Sequence, residues 1–498
     1  MFHSLHPRAL LRTIQQVHVG LRGMGDYRDL GLLYYDDNLD YEYQSRHQEQ
    51  DLFTSYENTD YVYEDEYDYQ INEDQGLRNI YNRCVYPTLF DACNYLIPLL
   101  IASIIFQSVT QSSYTPQRGF HIISAVIGLY VVQLYAAECL YLLITLITLS
   151  YLIFCVPGRY RRRLAISLLC LGVILYGERW MKPAFWHKIR GVTMIASMKA
   201  VSVVMESDTF PLPSFLEYIG YMLCPATCLF GPWVSYKDYA TLYRVNQWSV
   251  RKILIALGYL TLAFALLSIS NCWAEWIFPD STWRWIVAYR EALCFRTSHY
   301  FISYTSGGLA LLGGFSLTTA SVTKPGSVEL PHSLVQVVVN WNIPMHNWLK
   351  TYVFRRSREH FGQFGAVFLT YAVSSLLHGF NFQLAAVLLS LGFYTYVEYQ
   401  LRQELARAFD ACIAARRCGD HKCIHKRTTA NCWWVRVINI LFSALAMFHL
   451  AYLGLMFDTS EQQETGYSYS HAMEKWSSLN FASHWVVLAT YFAYFMIK

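Results

Sequence analysis

The sequence predicts an all-α protein that crosses a membrane many times. Of its 498 residues, 54% are hydrophobic and 16% aromatic, whereas only 15% are charged, a balance typical of polytopic membrane proteins rather than soluble domains. Several segments also hold roughly 20 apolar residues, the length that one helix needs to cross the hydrocarbon core. The predicted spans are 88–110, 120–137, 138–156, 164–180, 192–206, 213–234, 253–276, 296–315, 363–379, 381–398, 434–456 and 480–497. Because some of these are short enough to be re-entrant or to pair within one bent helix, we predict about eleven crossings.

The first 85 residues differ from the rest and are predicted to form a disordered tail. Residues 26–75 contain 16 acidic side chains, many tyrosines and only two basic residues, Arg28 and Arg46. Such a segment cannot bury enough apolar surface to fold. Residues 1–25 lack acids and an apolar core, which excludes a conventional secretory signal, although a mitochondrial presequence shares this composition. We place the membrane domain at residues 86–498.

The rest of the chain is strongly basic. The whole sequence has 39 basic and 36 acidic residues; without the 2 basic and 16 acidic residues of segment 26–75, 37 and 20 remain, a net charge of +17. This surplus is typical of cytosolic loops beside anionic lipid, and it favours a polyanionic cosubstrate. No basic stripe with interleaved aromatic residues lies outside the apolar spans, so we expect no nucleic-acid partner.

One apolar span carries a histidine. His378 interrupts residues 363–379, and an ionisable side chain at membrane depth usually marks a functional site. In a helix, Ser374 and Ser375 lie four and three residues before His378, and Tyr371 lies seven before it, so all four share one face. A hydroxyl could then hold one ring nitrogen while the other acts as a base. On residue chemistry alone, a histidine that is only hydrogen-bonded inside a helix bundle stays an open alternative.

A second polar cluster lies upstream, in the amphipathic segment WNIPMHNW. Its Asn342 has a side-chain amide N–H that can donate a hydrogen bond to a substrate. The basic residues that follow could contact the phosphates of a cosubstrate, although a generic positive-inside loop also explains them. The candidate substrate-binding residues of the two clusters are Trp341, His346, Trp348, Lys350, Arg355, Arg356, Tyr371, Ser374 and Ser375.

The pattern W-N-x-P-x-H-x-W, followed some 35 residues later by S-x-x-x-H-G, resembles the signature of the membrane-bound O-acyltransferase family. The likeness extends through FGPWVSYKDY near Phe230 and covers the chain from about residue 88 onward. It implies a fold in which transmembrane, re-entrant and amphipathic helices surround an internal reaction tunnel. It also implies that Asn342 and His378 are the paired catalytic residues, and that the FGPW segment, where Gly231 and Pro232 interrupt an apolar run, lines the reaction chamber.

Within that family, both motifs resemble the members that attach palmitoleate to a serine of Wnt proteins. The resemblance therefore implies a multi-pass enzyme of the endoplasmic reticulum membrane, surrounded by membrane lipids, with palmitoleoyl-CoA as cosubstrate, a secreted Wnt protein as acceptor and no prosthetic group. His378 would be the general base, and Asn342 would stabilise the thioester carbonyl. Two alternatives remain: an enzyme of the same family with a lipid acceptor, and a transporter, which would also place a histidine near the midplane.

The chain contains thirteen cysteines, which we interpret mostly as small buried apolar residues rather than as a disulfide framework. The segment 412–432 contains Cys412, Cys418, His421, Cys423 and His425. A zinc ion needs four convergent ligands, and the C-x₂-H-x-C-x-H spacing from Cys418 onward is irregular for one. We therefore expect no metal site, and instead a basic loop near the membrane with thiols that can be acylated.

Overall fold

A computed structural model describes the membrane domain, and all regular structure in the described residues is helical. The described ranges are 76–112, 114–207, 211–243, 249–379, 382–418, 423, 425–457 and 469–498. In chain order the helices are α1 (Tyr86–Gln111), α2 (Gln117–Ala136), α3 (Leu140–Phe154), α4 (Arg159–Trp180), α5 (Pro183–Met205), α6 (Phe215–Met222), α7 (Tyr236–Ala240), α8 (Val250–Ser268), α9 (Ala274–Ile277), α10 (Arg284–Leu312), α11 (Leu317–Ala320), α12 (Pro325–Glu329), α13 (Leu334–Trp341), α14 (Ile343–Leu349), α15 (Arg355–Leu377), α16 (Phe382–Phe409), α17 (Trp433–Gly454), α18 (Tyr469–Ser478) and α19 (Ala482–Ile497). The prediction of an all-α chain is confirmed.

The outer surface of the helices is apolar. Four helical runs are long and apolar enough to cross a bilayer: Gly76–Gln111, Gln117–Phe154, Val250–Ile277 and Trp433–Gly454. Large apolar side chains are exposed along them, including Ile101, Ile105, Leu152, Leu254 and Ile440. In a bilayer these apolar faces can contact lipid directly. The backbone polar groups of each helix are already hydrogen-bonded within that helix. The prediction of a polytopic membrane protein is therefore confirmed.

The predicted spans match the helices best where an apolar run has polar neighbours. The spans 88–110, 434–456 and 480–497 correspond closely to α1, α17 and α19. The first of these helices continues a helical run that begins at Gly76, so residues 76–85 are helical and continuous with α1. Residues 1–75 of the predicted tail lie outside the described residues.

The predicted span 213–234 is wrong as a single helix. Only its first part is helical, as α6, and residues 223–235 have no regular helix. Pro225 and Pro232 cannot donate a backbone hydrogen bond, and Gly231 has φ +78°, outside the helical region. Irregular backbone at membrane depth is tolerated where it is buried in protein, and these residues are buried.

Two helices form the centre of the molecule. Every residue of α5 from Ile189 to Val204 is buried, and α10 is buried almost without a break from Arg296 to Leu312. A helix that is covered all round lies in the interior of a large protein. Close packing on α5 depends on Gly177 of α4, because a β-carbon there would lie 2.1 Å from the ring of Trp186.

The apolar side chains form two main clusters that meet along α10. Its C-terminal half, from Phe301 to Leu312, packs with α1–α6 and α8. Its N-terminal half contributes Ala288 to a cluster with α16–α19. The short helices α13 and α14 lie at this junction, since Val337 packs with Tyr300 of α10 and Met345 belongs to the first cluster. The polar motif that contains Asn342 is therefore close to the line where the two clusters meet.

The burial of the cysteines agrees only in part with the prediction from the sequence. Cys139, Cys170, Cys224 and Cys228 are buried as expected, but Cys155 is exposed. A disulfide bond joins Cys84, just before α1, to Cys272, just after α8.

Candidate active site

Asn342 lies in the sharp turn between α13 and α14. It is the N-cap residue of α14, and its Oδ1 accepts the backbone N–H of Met345 at 3.1 Å. This cap satisfies a backbone donor that the first turn of a helix leaves unpaired. Since Oδ1 is occupied, the group that the side chain offers to a ligand is the Nδ2 amide, a hydrogen-bond donor.

The turn is held from outside by the segment before α12. The N–H of Ile343 donates to the carbonyl oxygen of Val322 at 2.8 Å. The hydroxyl of Thr323 and the N–H of Lys324 both donate to the carbonyl oxygen of Asn340, each at 3.0 Å. Three hydrogen bonds therefore flank Asn342 and fix its position.

Asn342 borders a mainly apolar cavity. The lining comes from α5, from the irregular segment after α6 and from the turn that carries Asn342. The lining residues are Met194, Ile195, Met198, Phe230, Pro232, Trp233, Val322, Asn342, Pro344 and Met345. The prediction that the FGPW segment lines a cavity is confirmed for Phe230, Pro232 and Trp233. Asn342 is the only amide side chain in this lining, so it can direct a polar group to one end of an apolar ligand.

His299 of α10 supports the residue before Asn342. Its imidazole stacks on the indole of Trp341, with ring centroids 4.2 Å apart and planes 8° apart. Its Nε2 atom lies 2.9 Å from the carbonyl oxygen of Trp341, which can only accept, so Nε2–H donates. Trp341, predicted to bind substrate, therefore acts at least as a support for Asn342.

His378 lies at the C-terminal end of α15. Its backbone N–H donates to the carbonyl oxygens of Ser374 and Ser375, both at 3.2 Å, and closes the last turn. The next residue, Gly379, has φ +93°, which ends the helix. Arg190 of α5 and His299 of α10 lie in the surroundings of His378. His299, which contacts Trp341, is therefore also near His378.

Gly379 lets the chain pass close to two charged side chains. A β-carbon at this position would lie 2.5 Å from Oε2 of Glu178 and 3.2 Å from Cδ of Arg190. The same carboxylate accepts a hydrogen bond from the indole N–H of Trp186. His378 is thereby fixed against α4 and α5.

The other residues of the upstream motif have mixed surroundings. Trp348 is buried and donates from Nε1 to the carbonyl oxygen of Met198 at 3.1 Å, next to the cavity. Lys350 and Arg355 are exposed, and His346 is half-buried. Arg356 is exposed too, and its Nη1 lies 2.9 Å from Sδ of Met205. The predicted roles of these side chains in substrate binding stay predictions.

Tyr371, Ser374 and Ser375 of α15 have different surroundings. Ser374 and Ser375 are buried in the turn that His378 closes. The ring of Tyr371 lies against Gly392 of α16, where a β-carbon would lie 2.7 Å from it. Tyr371 therefore packs between α15 and α16.

Three ionisable residues near the site were not identified from the sequence: His299, Arg190 and Lys199. All three are buried, and all lie on the central helices α5 and α10. The rule that singled out His378, an ionisable group in an apolar run, would also have identified His299 and Lys199.

Comparison with known proteins identifies the family. Residues 185–412, which include Asn342 and His378, match the model of the membrane-bound O-acyltransferase family. The protein-serine O-palmitoleoyltransferase porcupine of Anopheles gambiae is 34% identical over 472 residues, which span 86% of this chain and 95% of that protein. The chain belongs to the membrane-bound O-acyltransferase family. The resemblance inferred from the sequence is thus confirmed.

Other members of the family show how the similarity is distributed. The human protein-serine O-palmitoleoyltransferase porcupine is 39% identical over 370 residues, covering 68% of this chain and 79% of that protein. Lysophospholipid acyltransferase 1 of Arabidopsis thaliana is 24% identical over 266 residues, covering 42% of this chain and 56% of that protein. The sequence identity to the two family members named for a protein acceptor is higher than that to the member named for a lipid acceptor. The alignments with the first two also cover more of this chain.

Proposed function

We propose that this chain transfers a palmitoleoyl group from palmitoleoyl-CoA to a serine hydroxyl of a secreted Wnt protein, in the endoplasmic reticulum membrane. The observation that carries the proposal is the position of Asn342, whose amide borders a mainly apolar cavity. An acyl thioester has a matching polarity, with one polar carbonyl at the end of an apolar chain. The names and extents of the similar proteins support a serine acceptor and a palmitoleoyl donor.

In the proposed reaction His378 is the general base. It removes the proton from the acceptor serine Oγ, and this oxygen attacks the thioester carbonyl carbon. The tetrahedral intermediate collapses, the C–S bond breaks, and the CoA thiolate takes up the proton. The products are the serine ester and CoA. Proton removal by a placed base contributes about 10²–10⁴-fold to such a reaction.

Asn342 stabilises the charge that develops on the carbonyl oxygen. Its Oδ1 is held by the cap of α14, so the Nδ2–H group keeps a fixed direction while the reaction proceeds. A preorganised donor of this kind is worth about 10²–10³-fold in rate. His299 takes no part in the chemistry; it positions Asn342 through Trp341.

The basic residues Lys350, Arg355 and Arg356 precede Gly362, whereas His378 ends the helical segment that follows it. Gly362, with φ +65°, breaks α15, and the helix that follows ends at His378. At 1.5 Å per residue this segment is about 23 Å long, most of the thickness of the hydrocarbon core. A cytosolic acyl-CoA bound near Lys350, Arg355 and Arg356 and a lumenal serine would then approach the site from opposite faces.

The test uses the full chain in lipid nanodiscs with an alkyne-labelled palmitoleoyl-CoA. The acceptors are a Wnt-derived peptide, the same peptide with serine replaced by alanine, and a lysophospholipid. We expect label only on the serine peptide, and little or none of it with folded His378→Ala or Asn342→Ala protein. Label on the lysophospholipid with none on the peptide would show a lipid acyltransferase instead.

A further inference from the structure

Three cysteines and one histidine converge in the loop between α16 and α17. The Sγ atoms of Cys412, Cys418 and Cys423 and a ring nitrogen of His425 all lie within 4.8 Å of one another. Among the residues that the structure describes, no other group of three or more histidine, cysteine or acidic side chains converges in this way. Each of the four side chains is half-buried. Three thiols and an imidazole form a complete ligand set for a structural zinc ion.

The distances within the cluster already approach those of a tetrahedral site. The Nδ1 atom of His425 lies 3.6 Å from Sγ of Cys418 and 3.6 Å from Sγ of Cys423. With Zn–S near 2.3 Å and Zn–N near 2.0 Å, the tetrahedral edge between sulfur and nitrogen is about 3.5 Å. Only small side-chain movements would be needed to surround an ion.

The loop that carries the ligands is held by hydrogen bonds on both sides of the cluster. The N–H of Cys412 donates to the carbonyl oxygen of Arg427 at 2.8 Å, and the N–H of Arg427 donates to the carbonyl oxygen of Asp410 at 3.0 Å. The fully buried Arg402 of α16 donates from Nε to the carbonyl oxygen of Ile413 at 2.8 Å. These contacts bring Cys412 beside ligands that follow it in the sequence.

The loop also contains basic residues close to the proposed ligands in the sequence. Three thiolates, one neutral imidazole and Zn²⁺ carry a net charge of −1, and Arg416, Arg417, Lys426 and Arg427 belong to the same loop. These basic residues can offset that charge.

The cluster and the disulfide lie at opposite ends of the membrane helices. Cys272 lies two residues after Ser270, whose hydroxyl donates to the carbonyl oxygen of Cys294 in the first half of α10. Gly454, at the end of α17, packs against this same part of α10. The cysteine loop precedes the start of α17, whose 22 residues span about 33 Å. Since disulfides form in oxidising compartments, the loop faces the reducing side, where thiols stay available for a metal.

We propose that Cys412, Cys418, Cys423 and His425 bind one structural Zn²⁺ ion. The ion would fix the loop against the base of α13. There, Ser333 donates from Oγ to the carbonyl oxygen of Ala415 at 2.7 Å, and its Oγ accepts the N–H of Gln336 at 3.2 Å, which caps α13. Because α13 leads directly to Asn342, the ion would support the active site without touching the substrate.

The proposal revises the expectation of no metal site. The spacing from Cys418 onward is irregular when His421 is counted as a ligand, and His421 lies outside the described residues. Cys412, six residues before Cys418, supplies the fourth ligand, because the bond to Arg427 brings it back to the cluster.

The first test measures the metal content of the full chain, purified in detergent from cells grown with zinc. We expect about one zinc per chain in the wild type and in Cys432→Ser, which removes a cysteine of the same loop that lies outside the cluster. Cys418→Ser and Cys423→Ser should lose more than half of the zinc. His425→Cys, which conserves a four-ligand set, should retain it. Zinc content does not depend on acyl transfer, so this test is independent of the proposed function.

The second measurement replaces zinc by Co²⁺ and records the absorption spectrum. We expect thiolate-to-cobalt charge transfer and intense visible bands of a tetrahedral site in the wild type and in Cys432→Ser, and their loss in Cys418→Ser. Any of three results would overturn the proposal. The purified wild-type protein contains no zinc, or Cys432→Ser loses as much zinc as Cys418→Ser. Alternatively, the intact mass shows a disulfide or acyl groups on Cys418 and Cys423.

Discussion

The imidazole of His299 stacks on the indole of Trp341, with ring centroids 4.2 Å apart. Its Nε2–H also donates to the carbonyl oxygen of Trp341, at 2.9 Å from Nε2 to oxygen. One side chain of the central helix α10 thus fixes both the ring and the backbone of the residue before Asn342. The position of the amide at the cavity therefore depends on a histidine 43 residues earlier in the chain.

Replacing His299 should impair turnover rather than donor binding. In His299→Ala, Trp341 loses its stacking partner and its carbonyl donor, and a displacement of about 1 Å at a reacting group costs about 10²-fold in kcat. Steady-state kinetics with palmitoleoyl-CoA should show a fall in kcat with little change in KM. His299→Gln, which keeps an N–H donor, should recover part of the loss. A change confined to KM would assign His299 to substrate binding instead.

Two substitutions of Asn342 should separate its cap from its role in the reaction. Asn342→Ala removes both, so it should lower kcat by about 10²–10³-fold and destabilise the protein by about 1 kcal/mol. Asn342→Asp retains a good cap acceptor but has no N–H donor. It should therefore keep the wild-type melting temperature while losing as much activity as the alanine variant. Wild-type turnover in Asn342→Asp would contradict the donor role.

Removing the proposed base should abolish transfer without preventing donor binding. His378→Ala should lose at least about 10²-fold in kcat, while the Kd for a non-hydrolysable palmitoleoyl-CoA analogue stays within a few-fold. The matched control is His360→Ala, which removes an exposed histidine of the same helix and should be fully active. Near-normal activity in His378→Ala would rule out this residue as the base.

Gly379 should not tolerate alanine. Its φ of +93° is unfavourable for residues with a β-carbon by about 1–3 kcal/mol, and the added atom would overlap the carboxylate of Glu178. Gly379→Ala should lower both the melting temperature and kcat, since it moves the neighbouring His378. Gly172→Ala in α4, where nothing lies within 4 Å of the added atom, should do neither. Equal melting temperatures and equal kcat values for the two variants would show that the close approach at Gly379 is unimportant.

Deleting residues 1–75 should leave acyl transfer nearly intact. The acidic segment has few aliphatic side chains with which to dock on the membrane domain, and the deletion keeps the helical run from Gly76 and the disulfide partner Cys84. Activity of the truncated and full-length proteins should be compared in nanodiscs at equal concentrations of folded protein. A well-folded truncated enzyme with most of its turnover lost would assign the tail a part in the reaction.

The sequence was sufficient for features that depend on local pattern. Uninterrupted apolar runs with polar ends predicted α1, α17 and α19 to within a few residues, and a short motif located Asn342 and His378. The sequence pattern was insufficient where helix-breaking residues lie in an apolar run. Hydropathy alone predicts one helix up to residue 234, but Pro225 and Pro232 prevent the helix from continuing that far.

Features that depend on distant parts of the chain could not be predicted. The stacking of His299 on Trp341 and the arrival of Cys412 beside Cys423 are set by helix packing and by hydrogen bonds from Arg402 and Arg427. Neither of these two contacts produces a hydrophobic periodicity or a motif with characteristic spacing in the sequence. The irregular spacing of the cysteine loop in fact argued against the arrangement that the structure has.

The surroundings of Lys199 bear on how the chain enters the membrane. This lysine of α5 is fully buried, and its ammonium group donates to the carbonyl oxygens of Tyr221 and Met222 and to the hydroxyl of Thr227, at 3.0, 3.3 and 3.0 Å. All three acceptors are synthesised after α5. A charge in lipid without acceptors is costly, so α5 cannot settle as an independent span when it leaves the ribosome. Its stable insertion has to await the segment around α6, which makes residues 183–227 a single unit of membrane assembly.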